Sequence, residues 1–447
     1  MHFSLIVCFL LPSNCSASIS LKQFTAAFWH ITDLHLDFYY TQQKGCPWST
    51  GAPAVYPGPF GDFKCDSPWK LINSTFQEMK RIKPNPDFIL WTGDNILHVH
   101  ENEKYLSTKL VLQTEMNLTR LIDEMFPETP IYTVLGNHDY FPFDHMPIEE
   151  NNVRAKIANI WNKWIPEDQI DLFKKGGYYS VIFEHFGPNL QLLMLNTNLW
   201  DLLNPHVKRN SDPAGQFKWL ESQLQKSQQM HYKVFIVGHH PPGVFELSDN
   251  DYWFYPKHNR RYIELVQKYH DIIEGQFFGH NHRDSFRVFW DKHRKPISTL
   301  WIAPSVTPHS KEIQTANNPG IRLFEYCPLF TSLKDYVQYY FNLTDGNVNG
   351  NATWIKEYRA TEEFQVPNIN PASMASFLHK LMFADVRCDV TGPECEDNRA
   401  LQRFSLINSV SYDFRYCDST CQRRHLCAMS EVEYNAHRKC IESELQC

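Results

Sequence analysis

Five short apolar segments of the chain each end abruptly in a polar cluster. The segments FWHIT, FILWT, YTVL, VFIV and QFF stop at Asp33, Gly93, Gly136, Gly238 and Gly279. Apolar runs of this length that end in turn residues predict buried β-strands.

Helical periodicity fills the intervals between these predicted strands. The apolar positions are Ile72, Phe76 and Met79, then Leu118, Leu121, Ile122 and Met125, then Val153, Ile157, Ile160, Trp161 and Trp164. Alternating strands and helices predict an α/β core whose strand ends gather their polar residues at one edge.

The polar clusters carry residue types that bind divalent metals. They read DLHLD at 33–37, GDN at 93–95, GNHD at 136–139, GHH at 238–240 and GHNH at 279–282. Residues i and i+2 of an extended strand point the same way, so Asp33 with His35, and His280 with His282, are each able to bind an ion. Carboxylate oxygen combined with imidazole suits Zn, Fe or Mn, whereas a structural zinc site would need thiolates in these clusters.

Seven of these residues fit a pair of ions about 3.5–4 Å apart. The expected ligands are Asp33, His35 and His282 for one ion, Asn137, His239 and His280 for the other, and Asp94 as the bridge. His240 follows His239 directly, and the choice between the two stays open, with preference for His239 because it comes directly after glycine.

Such a centre has the chemistry that phosphodiester hydrolysis needs. Two cations clamp the phosphoryl oxygens, activate water to hydroxide and stabilise the charge that grows during in-line displacement. His138, beside a predicted ligand, is placed to protonate the leaving oxygen, and Asp139 is expected to fix the tautomer of His138.

Several features predict an oxidising, extracytosolic compartment. Residues 1–17 contain a short apolar run followed by small residues, as in a signal peptide. Two of the twelve cysteines, Cys8 and Cys15, lie in that segment, which leaves an even number in the mature chain. Four sequons begin at Asn73, Asn117, Asn342 and Asn351, so a secreted, extracellular or lysosomal glycoprotein is expected.

Charge and hydropathy argue against nucleic-acid polymers and membranes as partners. The formal net charge is −7, which does not suit a binder of nucleic-acid polymers. No stretch after the signal approaches the ~18 apolar residues of a membrane span. The polar terminus HRKCIESELQC predicts neither a spanning helix nor a GPI anchor.

The chain changes character after about Tyr358, and the predicted domains follow from that change. Residues 18–330 carry all five clusters and form the expected catalytic domain. Residues 331–447 contain a helical periodicity at 374–383 and most of the remaining cysteines, which predicts a small, helical, disulfide-linked C-terminal subdomain.

The ordered set D-x-H, GD, GNHD, GH and GHxH resembles the calcineurin-like metallophosphoesterases. More narrowly, YPGPFGDFKCDSPW, WTGDNILH, LGNHDYFP, LNTNLW, GQFKWLES, GQFFGHNHRDSF and NNPGIRLFEY are similar to the acid sphingomyelinase-like phosphodiesterases, closest to the secreted member. The resemblance implies a two-sheet β-sandwich flanked by helices and two zinc ions per chain. It also implies that His138 donates a proton and that His98 contacts the substrate phosphate.

The same resemblance implies three disulfides, and a monomer is expected. These are Cys46–Cys65, Cys417–Cys421 and Cys427–Cys440, while a Cys388–Cys395 pair is expected only from proximity, and Cys327 and Cys447 are unassigned.

The family implies a small-molecule substrate, either a nucleotide or a nucleotide-like conjugate. No stretch before Asp33 is long enough for the lipid-presenting domain of true acid sphingomyelinase, so soluble phosphodiesters and phosphoanhydrides are preferred over sphingomyelin. The alternatives are a sphingomyelin phosphodiesterase, with Trp200, Trp253 and Phe254 lining an apolar approach, and a non-catalytic ligand-binding relative.

Overall fold

Two mixed β-sheets form the centre of the computed structural model, which describes residues 26–46, 57–98, 106–184, 188–309, 316–382 and 396–443. Within these residues the strands are β1 (Ala26–Ile31), β2 (Ile89–Trp91), β3 (Ile131–Thr133), β4 (Tyr179–Phe183), β5 (Leu190–Met194), β6 (Lys233–Val237), β7 (Ile273–Phe278), β8 (Ser285–Trp290), β9 (Pro296–Ile302), β10 (Gly320–Cys327), β11 (Ser332–Phe341) and β12 (Trp354–Arg359).

The helices cover the outer faces and the C-terminal part of the chain. They are α1 (Trp69–Ile82), α2 (Thr108–Met125), α3 (Asn152–Ile160), α4 (Ile170–Gly176), α5 (Gln216–Gln229), α6 (Pro256–Lys268), α7 (Leu343–Asn349), α8 (Ala360–Glu363), α9 (Pro371–Met382), α10 (Glu396–Asn408), α11 (Ser419–Ser430) and α12 (Tyr434–Glu442). The α/β class and the sandwich flanked by helices are confirmed.

The strand order brings the predicted strands side by side. One sheet has the order β12-β11-β10-β1-β2-β3 and the other has the order β4-β5-β6-β7-β9-β8. Strands β1, β2 and β3 are parallel, as are β5, β6, β7 and β9. The five predicted strands are β1, β2, β3, β6 and β7, so their carboxyl ends leave the two sheets at a common edge.

Aromatic side chains fill the space between the sheets. The ring of Phe28 in β1 lies 5.6 Å from that of Phe235 in β6 and 5.4 Å from that of Phe277 in β7. Burying each such side chain contributes roughly 1.5–3 kcal/mol. The predicted apolar face of α1 is fully buried, whereas α3 ends at Ile160, so Trp161 and Trp164 are buried just beyond the helix rather than inside it.

The division into a catalytic domain and a C-terminal subdomain stays a prediction, and its boundary falls between two paired strands. The expected boundary at residue 330 falls in the turn between β10 and β11, which pair antiparallel from Gly320↔Tyr340 to Cys327↔Ser332. Strands β11 and β12 complete the first sheet, and the helical region starts at α8. Helices α9 and α11 pack on strands of the second sheet.

The three disulfides implied by the family are present: Cys46–Cys65, Cys417–Cys421 and Cys427–Cys440. The signal peptide, the Cys388–Cys395 pair and Cys447 lie outside the described residues. Glycosylation at Asn73, Asn117, Asn342 and Asn351 stays a prediction. None of the helices in the described part of the chain has the length and apolar character needed to cross a bilayer.

Candidate binuclear metal centre

The seven predicted ligands converge at the common edge of the two sheets. Asp33 and His35 follow β1, Asp94 follows β2, Asn137 follows β3, His239 follows β6, and His280 and His282 follow β7. These strands belong to both halves of the sandwich, so only the folded core brings the side chains within reach of one another.

The first group of ligands surrounds one point beside Asp94. The Nε2 atom of His35 lies 3.7 Å from Oδ1 of Asp33 and 3.5 Å from Oδ2 of Asp94. The Nε2 atom of His282 lies 3.4 Å from Oδ1 of Asp33. These separations fit four donor atoms around one ion, since ligand distances to zinc are about 2.0–2.2 Å.

The second group meets on the other side of the same carboxylate. The Nε2 atom of His239 lies 3.1 Å from Oδ2 of Asp94 and 3.1 Å from Oδ1 of Asn137. The Nδ1 atom of His280 lies 3.2 Å from Nε2 of His239. Oδ2 of Asp94 therefore borders both groups, which is the position that the bridging prediction requires.

Backbone carbonyls select the imidazole nitrogen that faces each ion. Nδ1 of His35 lies 2.7 Å from the carbonyl oxygen of Ile96, and Nδ1 of His239 lies 2.7 Å from that of Thr92. Nδ1 of His282 lies 3.0 Å from the carbonyl oxygen of His309. A carbonyl only accepts hydrogen bonds, so Nδ1 must carry the hydrogen and Nε2 presents its lone pair, an arrangement typical of metal-binding histidines.

The carboxylates are oriented in the same manner. Oδ2 of Asp33 accepts from the Thr32 hydroxyl at 2.6 Å and from the backbone N–H of His280 at 3.0 Å. Oδ1 of Asp94 accepts from the backbone N–H of His138 at 2.8 Å. Among the described residues, Oδ1 of Asp33 and Nε2 of His35 are buried with no hydrogen-bond partner. Buried polar atoms are costly in that state, so the donor set fits divalent ions.

The electrostatics of the site favour added positive charge. Burial alone would raise the pKa of Asp33, but the neighbouring His282 imidazole holds it well below its usual value. Burial opposes protonation of His35 and His239, yet the adjacent carboxylates raise the pKa of each to about 9. A metal ion must therefore displace protons from this centre when it binds.

The backbone geometry of the ligands differs from the expectation. Strand β1 ends at Ile31 and β7 at Phe278, so the ligand pairs do not lie in extended strands. Five ligands instead have positive φ angles, 52° at Asp33, 40° at His35, 59° at Asp94, 67° at His280 and 60° at His282. This region costs a non-glycine residue of order 1–3 kcal/mol and is concentrated at functional sites.

Neighbouring loops hold this backbone in place. The N–H of Asp33 donates to the carbonyl of Gly93 at 2.9 Å, and the N–H of His35 donates to that of Asp94 at 3.0 Å. A Cβ atom on Gly136 would lie 2.1 Å from Oδ1 of Asp94. Glycine in the GNHD cluster therefore permits the close approach of the third loop to the bridging carboxylate.

Asp139 holds three backbone amides of the neighbouring loops. Its carboxylate accepts from the backbone N–H groups of Asp94 at 3.0 Å, Asn95 at 2.7 Å and Gly136 at 2.7 Å. Both oxygens accept from these amides, and the expected role of fixing the His138 tautomer stays a prediction. Burial and the nearby Asp139 carboxylate raise the pKa of Glu115 well above its usual value.

His138 and His98 stand together beside the first group. Their ring centroids are 4.4 Å apart, and the His98 ring stacks on His35 at 3.9 Å. The carboxylate of Asp66 orients His98, with Oδ1 at 2.9 Å from Nδ1 and Oδ2 at 2.5 Å from the backbone N–H. Nδ1 of His309 lies 3.8 Å from the same Oδ1.

Sequence reasoning missed Asp66 and His309. The only signal for Asp66 was its place in the quoted CDSPW segment beside Cys65, and no motif covered His309. It also left Arg283 and Asp284 unassigned; Asp284 forms a buried ion pair with Arg322 at 2.5 Å and is part of the support of the GHNH turn.

The open choice between His239 and His240 is narrowed by the geometry, because Nε2 of His239 contacts both Asp94 and Asn137. Burial and the neighbouring His239 lower the pKa of His240 well below its usual value. Of the three aromatic residues considered as an apolar approach, Trp200 and Phe254 are buried core residues. Trp253 lies at the site, with its ring centroid 4.3 Å from that of His280.

Fold and paired ligand groups together define a binuclear metallophosphoesterase. The sequence profile of the calcineurin-like phosphoesterases matches residues 26–284, and that of the acid sphingomyelin phosphodiesterase C-terminal region matches residues 295–447. The chain belongs to the acid sphingomyelinase-like phosphodiesterases and is a binuclear metal phosphodiesterase.

Several relatives cover nearly the whole chain. It is 42% identical to acid sphingomyelinase-like phosphodiesterase 3b of Homo sapiens, over 93% of this chain and 90% of that protein. It is 37% identical to cyclic GMP-AMP phosphodiesterase SMPDL3A of Homo sapiens, over 98% of this chain and 97% of that protein. It is 34% identical to sphingomyelinase phosphodiesterase C of Dictyostelium discoideum, over 99% of this chain and 98% of that protein.

Proposed function

We propose that the protein is a zinc-dependent phosphodiesterase that hydrolyses phosphodiester or phosphoanhydride bonds of nucleotides and nucleotide-like conjugates. The observation that carries this proposal is the pair of ligand groups on either side of Asp94 Oδ2, with the His138 and His98 imidazoles alongside. Zinc is favoured because four of the seven ligands are imidazoles and the rest are oxygen donors.

The residues of the chain have distinct roles in this proposal. Asp33, His35 and His282 hold one ion, Asn137, His239 and His280 hold the other, and Asp94 is shared. When bound, the two ions supply positive charge at the phosphoryl group and activate the attacking water. The protein fixes where these ions sit through the carbonyl partners of its imidazoles and the oriented carboxylates.

His138 and His98 act on the substrate beside the ions. His138 is the proposed general acid, which donates a proton to the oxygen that leaves the phosphorus. In this proposal His98 carries a hydrogen on both ring nitrogens, so it donates from Nδ1 to the Asp66 carboxylate at 2.9 Å and from Nε2 to a phosphoryl oxygen. Asp66 is therefore a positioning residue that keeps the His98 imidazole aimed at the phosphate.

The preferred substrate class rests on a relative and on the rim of the site. The relative at 37% identity is named as a cyclic GMP-AMP phosphodiesterase. The half-buried indole of Trp253 beside His280 offers a face on which a nucleobase or a choline group can stack. Sphingomyelin is the second candidate, since another relative is named as a sphingomyelinase phosphodiesterase.

A secreted or lysosomal location is part of the proposal. Disulfides persist in oxidising compartments, and three are formed in the described part of the chain. The proposed signal peptide at residues 1–17 and the four sequons agree with that location, and a monomer is proposed.

The substrate and the metal are tested together. The purified full chain is analysed for metal content and then assayed at pH 5 and pH 7 with a nucleoside triphosphate, a cyclic dinucleotide, CDP-choline and sphingomyelin micelles. We expect two zinc per chain and faster turnover of the nucleotides. Faster sphingomyelin turnover would reverse the substrate preference, and a chain without bound divalent metal would refute the proposed centre.

The general acid is tested with leaving groups of different basicity. His138→Ala should lower kcat on an alkoxide-leaving nucleotide diester by about 10²–10⁴-fold, the range typical of general acid catalysis. The same variant should lose far less on a p-nitrophenyl diester, whose leaving oxygen needs no proton. The exposed His293→Ala variant is the matched control. Equal losses of His138→Ala on both substrates would contradict the assignment.

A further inference from the structure

His240 is a buried imidazole at the second ion site that has no role in the chemistry described so far. Its side chain is 1% exposed, and among the described residues no hydrogen-bond partner reaches its Nδ1 atom. An imidazole nitrogen left without a partner in a protein interior costs about 1–3 kcal/mol. The His240 imidazole therefore carries a cost that an apolar side chain at this position would avoid.

The imidazole lies among the ligands of the second ion. The His240 ring centroid is 4.0 Å from that of His280 and 4.9 Å from that of His239. Ligand nitrogens of these three histidines lie within 4.8 Å of one another. Two nitrogens on one zinc ion can be up to about 4 Å apart, since each bond is about 2.0–2.1 Å, so a small rotation of one side chain is enough to bring all three to one ion.

The backbone holds the two consecutive histidines in place. The hydroxyl of Thr197 accepts from the N–H of His239 at 3.2 Å and from the N–H of His240 at 2.9 Å. His239 is further fixed by the carbonyl of Thr92. The His239 ring is thus anchored, and the backbone of His240 is held by the same threonine hydroxyl, so the His240 ring stays packed against the His239 and His280 rings.

The two ion sites also differ in their ligands. The first group has the carboxylate of Asp33 and two imidazoles in addition to Asp94. The second group replaces that carboxylate with the neutral amide oxygen of Asn137, which is a weaker donor. An extra imidazole would compensate for this weakness, and zinc accepts a fifth ligand in catalytic sites.

We infer that His240 is an additional ligand of the second ion, so that three histidines, 239, 240 and 280, bind it together with Asn137 and Asp94. This inference rests on the proposed zinc centre and extends it. The consequence is tighter retention of the second ion than Asp94, Asn137, His239 and His280 provide by themselves.

The test compares zinc retention in the full chain of the wild type, His240→Val and the control His437→Val. His437 is likewise fully buried, and within the described part of the chain its ring nitrogens have no hydrogen-bond partner, but it lies in α12. Each protein is dialysed against a series of chelators and its zinc is counted. We expect His240→Val to lose one of its two ions at a chelator strength about 10–100-fold lower than the wild type, the usual cost of damage around a metal site. His437→Val should match the wild type.

A second readout is independent of turnover and of protein stability. In cobalt-substituted protein, removal of a fifth ligand should strengthen the visible absorption, because four-coordinate cobalt(II) absorbs more than five-coordinate cobalt(II). If His240→Val does not fold, anomalous diffraction at the zinc edge from wild-type crystals tests whether His240 binds the ion. We then expect an ion about 2.0–2.1 Å from a nitrogen of His240.

The outcomes are distinguishable. Unchanged retention with an unchanged cobalt spectrum, or no ion within bonding distance of His240, would overturn the inference while leaving the two-zinc centre intact. A wild-type chain that holds no zinc would instead refute the proposed function itself.

Discussion

The loop that carries His280 and His282 is fastened to the C-terminal helices by one buried side chain, Asn408 of α10. Its amide donates to Oε1 of Glu246 at 2.9 Å and to the carbonyl of Asp284 at 3.0 Å. Oε2 of Glu246 in turn accepts from the amide of Asn281 at 3.1 Å. The turn between the two ligand histidines is therefore held through Glu246 and Asn408.

Replacing Asn408 by alanine removes both side-chain hydrogen bonds. The bond to Glu246 is charge-assisted, because the Arg287 guanidinium outweighs burial and lowers the pKa of that carboxyl. Hydrogen bonds to charged groups contribute about 1.5–3 kcal/mol and neutral ones about 0.5–1.5 kcal/mol. The expected loss in the free energy of unfolding is about 2–4 kcal/mol, since the backbone bond from Asp284 N–H to the carbonyl of residue 408 remains.

The loss should be visible in both stability and metal binding. At about 1 °C per kcal/mol for a cooperative unit of this size, Tm should fall by about 2–4 °C at a fixed scan rate. The loosened turn should also weaken zinc retention against a chelator by about 10–100-fold. Asn435→Ala is the matched control, because Asn435 is exposed and its side-chain amide donates to Glu433 at the same helix end, so its effect should stay within about 0.5 kcal/mol.

An Asn408→Ala protein whose Tm lies within about 1 °C of the wild type, with unchanged zinc retention, would refute this reasoning. It would mean that the helical region merely covers the second sheet and leaves the geometry of the metal-binding loop to the sandwich alone.

Two further predictions follow from buried groups. Asp139→Asn offers one oxygen to three backbone N–H groups, so the free energy of unfolding should fall by about 2–5 kcal/mol in chemical denaturation. Unchanged stability together with a shifted His138 pKa in the pH–rate profile would contradict this and support the predicted tautomer role instead. Burial lowers the pKa of His425 to about 4 from 6.5, so the unfolded chain takes up a proton that the folded chain refuses. The contribution of neutral His425 to the free energy of unfolding is fully present above pH 6.5 and is lost as the pH falls toward 4, by about 2 kcal/mol at pH 5. If the wild type and His425→Gln lose the same free energy of unfolding between pH 7 and pH 5, the prediction is wrong.

Local chemistry along the chain was enough to predict much of the centre. The strand runs, the metal-binding residue types after them and the alternation with helices are properties of short segments, because hydrophobic periodicity depends on neighbours in sequence. For this reason the five strands were placed correctly and the side chains chosen as ligands are the ones that converge. The family resemblance added the three disulfides and the sandwich.

The backbone conformation of the candidate ligands could not be predicted from local sequence. The extended geometry assumed for Asp33 and His35 is replaced by positive φ angles, which persist only because the loops after β1 and β2 hydrogen-bond to each other. The strands β11 and β12 were missed because their place in the first sheet depends on pairing with β10.

Contacts between segments that are distant in sequence fix the orientation of the side chains at the site. Thr307 donates to Asp66, 241 residues away in sequence, at 3.1 Å, and Asn408 bonds to Glu246, 162 residues away. No periodicity or motif encodes such a contact, since it exists only when the sheets, the loops and the helical region have packed. The sequence by itself determined which side chains are the candidate metal ligands, and the tertiary structure decided how they are oriented, because orientation comes from hydrogen bonds between loops that the folded core brings together.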